Sequence, residues 1–282
     1  MRLTGYQTAD EFLAKAQSFL EANEALNNLM LGILFRLRAH PEGIEAPPYL
    51  VTVEDEGGLA LAGMITPPFN IVLYGDRAET DAFCEAVARD LSANKQTLPG
   101  VFGPSALSKS FAEVWASVGG RLCRDGMRQR AFELREVVYF GSAAGRPRWA
   151  VEDDLALVRQ WHSDFTREAL GEESELQADK AARRHIDAGT LYLWEDKGQP
   201  VSMAAKTRET THGATVSLVY TPPEFRGRGF ATACVAHLSQ HLLDSGYQFC
   251  TLFTDLANPI SNSIYQKIGY KPVGDFDEYK FA

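Results

Sequence analysis

Hydrophobic positions in the second half of the chain recur first with the period of helices and then with that of strands. Apolar residues at helical spacing, from Leu155 to Phe165, follow an acidic turn and predict a helix. "ELQADKAARRHIDAG" predicts a second helix that ends at Gly189. "LYLWEDKGQPVSMAAKTR" then predicts a hairpin that turns at Asp196–Gly198.

Strands and helices alternate after this hairpin. "ATVSLVY" predicts a third strand, and a helix follows the arginine–glycine turn in "EFRGRGF". "FCTLFT" predicts a buried strand and "NPISNSIYQKIGY" a further helix. "KPVGDFDEYKF" predicts a closing pair of short strands. The second half is therefore expected to form an α/β domain.

The first half repeats this order of elements with different residues. Thr8 and Glu11 predict a capping box at the start of its first helix. A hairpin is expected to turn at Glu56–Gly58, and strand–helix pairs follow it. "GSAAGRP" has the composition of a linker. We therefore predict a duplicated α/β fold, with one domain over residues 1–140 and the other over 141–282.

Composition narrows the class of protein. The 282 residues are 45% hydrophobic and 23% charged, which is typical of a soluble globular protein. A net charge of -9 argues against a general binder of nucleic acid or anionic membranes. The N-terminus has no signal pattern, and the four cysteines have neither paired nor metal-type spacing. A cytoplasmic protein with reduced thiols and no metal site is expected.

The turn in "TPPEFRGRGFATACVAHLSQ" has the features of an anion site. A strand, a glycine-rich turn and a helix N-terminus together present unpaired backbone N–H groups and a positive dipole. Arg226 and Arg228 add charge, and a pyrophosphate is the natural ligand, although a solvated basic turn is the alternative. The first half has Asp76 and Glu79 at the corresponding place, where they would repel a phosphate.

A later helix carries a second group of polar residues. Asn258, Ser261 and Tyr265 lie at its start and along one side, because steps of three and four residues share a helix face. Each also has an ordinary explanation: Asn258 before Pro259 is a good helix cap, Ser261 fits a first turn, and Tyr265 fits a half-buried position.

Together the two elements resemble the GNAT superfamily of N-acetyltransferases. The acetyl-CoA motif of that family, Gln/Arg-x-x-Gly-x-Gly/Ala, is matched by Arg226, Gly229 and Ala231. Its later Asn and Tyr, seven residues apart, are matched by Asn258 and Tyr265. The resemblance implies two GNAT-like domains, each a mixed, mostly antiparallel sheet flanked by helices, of which the first is a degenerate repeat, as in bacterial tandem GNAT proteins.

The resemblance also implies roles for individual residues. Backbone groups of the strand end would bond the pantetheine arm, the turn and the first helical residues would hold the pyrophosphate, and Asn258 would bond the pantetheine. Tyr265 would lie near the CoA sulfur as general acid. The implied cofactor-binding residues are Val219, Tyr220, Thr221, Arg226, Gly227, Arg228, Gly229, Phe230, Ala231, Thr232, Asn258 and Ser261.

The implied reaction is attack of a neutral amine, from a small molecule or a peptide, on the thioester of acetyl-CoA. A tyrosine of pKa ~10 can protonate a thiolate of pKa ~8.5 at a cost of about 2 kcal/mol. A base is also needed, but "ATVSLVY" lacks the strand glutamate of many family members. Glu168 is the first candidate base, with an ordinary solvated carboxylate as the alternative, and Glu209 and His212 are weaker candidates.

Two other functions remain open at this point. Two GNAT-like halves would also suit a transferase that uses a longer acyl-CoA or an aminoacyl donor. The missing strand glutamate would suit a CoA-binding regulatory module without catalysis.

Overall fold

The computed structural model describes residues 1–41, 46–77, 80–120, 122–171 and 175–282, so Glu79 lies outside the described residues. It contains twelve strands and eight α-helices within those ranges. The elements, in chain order, are β1 Arg2–Tyr6, α1 Ala9–Glu21, α2 Asn28–Ala39, β2 Tyr49–Asp55, β3 Gly58–Ile65, β4 Ile71–Gly75, α3 Asp81–Ala93, β5 Gly100–Pro104, α4 Ser105–Gly119, β6 Cys123–Leu134, β7 Arg146–Trp149, α5 Leu155–Leu170, α6 Glu175–Asp187, β8 Leu191–Asp196, β9 Gln199–Glu209, β10 Gly213–Tyr220, α7 Phe230–Asp244, β11 Phe249–Asp255, α8 Pro259–Ile268 and β12 Lys271–Phe281.

The chain forms two compact units. The first comprises Met1–Ala131, Thr254–Ala257 and Pro272–Ala282, and the second comprises Phe132–Phe253 and Asn258–Lys271. The predicted domain boundary between residues 140 and 141 concerns the repeat in the sequence, and it remains a prediction. In space, the last strand of the chain packs with the first unit, although it comes last in the sequence.

The sheet of the first unit has the strand order β1-β2-β3-β4-β5-β12-β6. Pairing is antiparallel from β1 to β4 and between β5 and β12, and it is parallel between β4 and β5. One core cluster packs α3 and α4 against this sheet, and another packs α1 and α2. The predicted capping box is present at the start of α1, where Thr8 and Glu11 bond each other's backbone.

The segment Lys271–Phe281 is one continuous strand, so the predicted pair of short strands is wrong. Within this strand, Asp275 accepts two hydrogen bonds from the Arg130 guanidinium, at 2.6 and 2.8 Å. The next residue, Phe276, is buried. Partners distant in the sequence thus keep the strand extended.

The sheet of the second unit has the order β11-β10-β9-β8-β7. Its pairs are antiparallel except for β10 and β11, which are parallel. One core lies under α7 and α8, and the other under α5 and α6, so helices cover both faces. The hairpin between β8 and β9 turns at Lys197 and Gly198, whose φ values of 52° and 80° are those of a type I′ turn.

The predicted fold class is confirmed: mixed α/β units with mostly antiparallel sheets and flanking helices. Trp161 belongs to the core under α5, as its helical spacing predicted. No helix in the described part of the chain is long and apolar enough to cross a bilayer.

Candidate active site in the second unit

Strands β10 and β11 separate part-way along their length. They pair from Gly213 with Phe249 to Thr215 with Thr251, and the rest of β10 has no register with β11, although both strands are fully described. The backbone of β10 from Val216 onward therefore presents an edge to the opening between the strands. Such an edge can accept an extended ligand as an added strand.

A bulge lies in β10 beside this opening. Its register with β9 shifts between Ser217 and Tyr220, and Leu218 has a φ of 52°. A positive φ is unfavourable for a bulky residue, so the surrounding packing holds it, and Leu218 is buried. In this bulge, Leu218 and Val219 of β10 stand opposite the single residue Ala204 of β9. This bulge could not be predicted, because "ATVSLVY" has the composition of an ordinary strand.

The turn after β10 leads into a helix end that is open to a ligand. Gly227 and Gly229 adopt φ values of 74° and 80°, which favour glycine. In the part of the chain that the structure describes, no side chain caps α7, and the first backbone bond of this helix joins the Ala233 N–H to the Gly229 carbonyl. The amides of the three residues before Ala233 precede that bond and have no intrahelical acceptor. Among the described residues, a Cβ on Gly227 would meet nothing within 4 Å, whereas a Cβ on Gly229 would lie 3.7 Å from the Ala143 side chain, so the free space of the turn is at Gly227.

Both arginines of the turn are paired with carboxylates. The Arg226 guanidinium donates to Glu168 at 2.7 Å, and also to the Thr221 carbonyl at 2.9 Å. Arg228 donates to Asp196 at 3.1 Å, and its guanidinium lies 4.6 Å from the centre of the Phe230 ring. The turn is therefore less positive than its sequence suggests. These partners lie 58 and 32 residues away, so no local pattern could have revealed them.

The end of β10 is fixed by neighbouring side chains. The Ser202 hydroxyl donates to the Tyr220 carbonyl at 3.1 Å and lies 2.9 Å from the Thr221 hydroxyl. Thr221 accepts from Arg226, as above, so the carbonyls of Tyr220 and Thr221 each accept one hydrogen bond from the protein. The Tyr220 ring packs beside Trp161, and burial, followed by the charges of Glu168 and Asp164, raises the pKa of Tyr220.

Helix α8 and its cap carry Asn258, Ser261 and Tyr265, of which the first two are in contact. The Asn258 side chain accepts from the Ser261 N–H at 3.1 Å, so it is the cap of this helix, with Pro259 in the first turn. Asn258 is exposed, so its side chain is accessible to a ligand in addition to capping the helix. Tyr265 lies two turns further on, in the core between the rings of Phe132 and Tyr270.

Comparison with known proteins identifies this arrangement. Residues 155–270 match the model of the acetyltransferase (GNAT) family. These residues belong to the GNAT family. The protein is thus an acyltransferase, and the reaction of the family that these residues match is acyl transfer from coenzyme A. Among curated proteins, no sequence matches the chain.

Solved structures share the fold of the GNAT domain and of the rest of the chain. A GNAT-family acetyltransferase from Colwellia psychrerythraea is 11% identical with a TM-score of 0.61, and all of both chains is covered. A GCN5-related N-acetyltransferase from Sphaerobacter thermophilus is 14% identical with a TM-score of 0.65, covering 98% of this chain and 94% of that one. A tandem GNAT protein from the clavulanic acid biosynthesis pathway is 12% identical with a TM-score of 0.54, covering 100% and 98%.

Burial changes the energetics expected for Tyr265 in the GNAT domain. Burial raises the pKa of Tyr265 to about 12. Protonation of a thiolate of pKa ~8.5 by this phenol then costs about 5 kcal/mol rather than about 2 kcal/mol. The earlier, lower cost assumed an unperturbed tyrosine, and sequence alone could not show that the side chain would be buried.

Two weaker candidates for the base lie far from the Tyr220 end of the opening in the GNAT domain. Glu209 ends β9 and pairs with Ala214 near the start of β10, and His212 immediately precedes β10. Tyr220 lies six residues after Ala214 in β10, a distance of about 20 Å along a strand. Glu209 also forms an ion pair with Lys206. Neither residue can therefore act directly on a substrate bound at Tyr220.

Within its described residues, the first unit lacks the features of the GNAT domain's site. A Cβ on Gly103 of β5 would come within 2.7 Å of the Leu73 carbonyl of β4, so these parallel strands stay in close contact. Arg77, after β4, pairs with Asp55 and Asp76. In the described part of the chain, no group of three or more His, Cys, Asp or Glu side chains could hold a metal ion.

Proposed function

We propose that the protein is an acetyl-CoA-dependent N-acetyltransferase that acetylates a primary amine. The observation that carries this proposal is the opening between β10 and β11, which is continuous in sequence with the uncapped N-terminus of α7. The extended pantetheine arm of the donor needs a free strand edge, and the pyrophosphate attached to it needs a free helix N-terminus next to that edge. The name of the matching family, acetyltransferase, supports an acetyl donor.

The donor would be held mainly by backbone groups. The amides from Gly227 to Thr232 would bind the pyrophosphate, with Arg226 and Arg228 adding charge. Val219, Tyr220 and Thr221 would contact the pantetheine arm from the strand, and Asn258 and Ser261 would do so from α8. The carbonyls of Tyr220 and Thr221 each already accept a hydrogen bond from the protein. The bulged segment before them would therefore supply most of the contacts between the strand and the pantetheine arm.

The chemistry would then need an acid, a base and an oxyanion site. Bound acetyl-CoA supplies the acetyl thioester. Tyr265 would donate its proton to the departing sulfur, and a backbone N–H at Val219 or Tyr220 would stabilise the oxyanion. A lysine-like amine needs about 4.6 kcal/mol to lose its proton at pH 7. Glu168, in the last turn of α5, is the candidate to receive that proton, directly or through water.

Binding of acetyl-CoA can be tested by thermal unfolding. Ligand at one hundred times its dissociation constant should stabilise the native protein by about 2.7 kcal/mol. Gly229→Glu places a negative charge at the helix N-terminus and should abolish this stabilisation. Gly229→Ala is the matched control, because it introduces the same left-handed strain without the charge and should retain most of the effect.

Either of two results would contradict the proposal. A wild-type protein that acetyl-CoA does not stabilise has no donor site of this kind. Equal stabilisation of wild type and Gly229→Glu would mean that the ligand binds elsewhere. A longer acyl-CoA that competes more strongly than acetyl-CoA would instead favour the alternative donor, and tight binding without turnover of any amine would favour the regulatory module.

A further inference from the structure

The Arg226 guanidinium occupies a position that three different groups make attractive to a cation. The Glu168 carboxylate accepts from it at 2.7 Å, and the Thr221 carbonyl accepts at 2.9 Å. The guanidinium carbon also lies 5.8 Å from the centre of the Tyr220 ring. A carboxylate, a carbonyl oxygen and an aromatic ring are the groups by which proteins recognise organic cations. We refer to these three groups as the cation seat.

The Tyr220 hydroxyl adds an unused polar group beside the cation seat. The Tyr220 side chain is only 6% exposed, and within the described residues no group hydrogen-bonds its hydroxyl. The carboxylates of Asp164 and Glu224 lie near enough to act on the same phenol. Asp164 is itself paired with Arg167. Without Arg226, the charged groups near Tyr220 would be the three carboxylates of Glu168, Asp164 and Glu224 and the single guanidinium of Arg167.

The pair between Arg226 and Glu168 is easily exchanged. The two side chains are 48% and 45% exposed, and exposed ion pairs contribute little to stability. Arg226 lies in the same turn as the amides proposed to hold the pyrophosphate, one residue before Gly227. A guanidinium binds phosphate oxygens with two parallel charged hydrogen bonds, which a single exposed carboxylate contact does not match.

We propose that Arg226 exchanges Glu168 for the pyrophosphate of the donor, and that the cation seat it leaves binds a cationic group of the acceptor. This inference rests on the proposed function, because it needs a donor at the turn. It defines the acceptor class as amines that carry a positive charge at the seat. In the free protein, Arg226 itself fills the position and keeps such acceptors out.

Isothermal titration with 1,4-diaminobutane as the cationic probe tests this exchange. Coenzyme A without an acetyl group fills the donor site, so that no reaction occurs during the titration. With wild type, coenzyme A should raise the affinity for the diamine about tenfold or more. Arg226→Ala should bind the diamine with that higher affinity in the absence of coenzyme A, because its seat is already vacant. Glu168→Gln should bind the diamine weakly both with and without coenzyme A.

Arg228→Ala is the matched control for Arg226→Ala. It removes the other arginine of the turn, whose partner is Asp196 and which does not touch the seat. It should bind the diamine as weakly as wild type does without coenzyme A. The ionic strength is kept constant, because exposed charges are screened by salt.

The proposal is overturned if Arg226→Ala binds the diamine no better than wild type does, or if Glu168→Gln keeps the gain. The comparison of these proteins without coenzyme A tests the seat even if the donor site is absent. Failure of wild type to bind coenzyme A would therefore contradict the proposed function, whereas equal diamine binding by all variants would contradict the cation seat.

Discussion

The position of Tyr265 in α8 determines the acidity of its side chain. Its ring lies between Phe132 and Tyr270, and burial keeps its pKa near 12. A phenol with this pKa is protonated throughout the neutral and mildly alkaline range. It is a weak acid towards a thiolate in water, so its usefulness depends on a sulfur whose negative charge is equally poorly solvated.

Tyr265→Phe should lower turnover about a hundredfold while acetyl-CoA affinity stays within a factor of a few, because general acid catalysis typically contributes about 10² or more. Rates of acetyl transfer measured with saturating acetyl-CoA check this prediction. Since the pKa lies near 12, loss of the Tyr265 proton should cause no decline in the wild-type rate near pH 10. Unchanged turnover in the variant would remove Tyr265 from the mechanism.

Helix α6 contains a histidine that folding keeps neutral. His185 is buried, and its Nδ1 lies 2.8 Å from the Thr190 hydroxyl. Burial, with smaller effects of Arg184 and His162, lowers the pKa of His185 from 6.5 to about 4. The unfolded chain therefore binds a proton on this residue at a higher pH than the folded chain does.

The stability of the second unit should consequently fall as the pH drops from about 6.5 to about 4, by up to ~3 kcal/mol from His185. Above pH 6.5 both states are neutral at this position, and no dependence arises from it. Denaturant unfolding at several pH values measures the change, and His185→Asn should flatten this part of the profile. A wild-type profile that is level from pH 6.5 to 4 would contradict the assigned burial.

Local elements of the fold were predictable because their signals are local. The capping box at Thr8 and the hairpin at Asp196–Gly198 depend on residues within a few positions of one another, and both are present. The opening between β10 and β11, the bulge at Leu218 and the partners of Arg226 depend on contacts between distant segments. The site's motif could therefore be found in the sequence, but its electrostatics could not.

The hairpin between β8 and β9 offers a test of turn chemistry. Lys197 has a φ of 52°, which a lysine adopts at some cost and an asparagine tolerates better. Lys197→Asn creates the preferred Asn–Gly pair and should stabilise the protein by about 0.5–1 kcal/mol. Lys180→Asn, at an exposed position in α6, is the control and should destabilise slightly. Equal effects of the two changes would argue against a type I′ turn.

At the scale of the whole molecule, the last strand of the chain belongs to the first unit. Strand β12 pairs with β5 from Phe276 with Pro104 to Lys280 with Gly100, and it is the neighbour of β6 on its other side. Tyr279 and Phe281 pack against the core that α3 and α4 cover. The first unit is therefore incomplete without residues from the far end of the sequence.

Truncation after Lys271 should lower hydrogen-exchange protection in β5 and β6, because each strand loses β12, one of its two neighbours in the sheet. Removal of Ala282 alone, which is exposed, is the control and should change nothing in these strands. Mass spectrometry of exchange in peptides from the two strands provides the measurement. Native protection in the truncated protein would show that β12 is dispensable to the first unit.

The position of β12 also constrains how the protein is made. A ribosome that has finished Ala131 must still synthesise the segment up to Pro272, which takes about 7–30 seconds at ~5–20 residues per second. Until then, β5 and β6 emerge with free edges of the kind that other nascent chains can join. The half of the protein that is translated first is thus the half that finishes folding last, and a chaperone that shields exposed strand edges would be of most use during this interval.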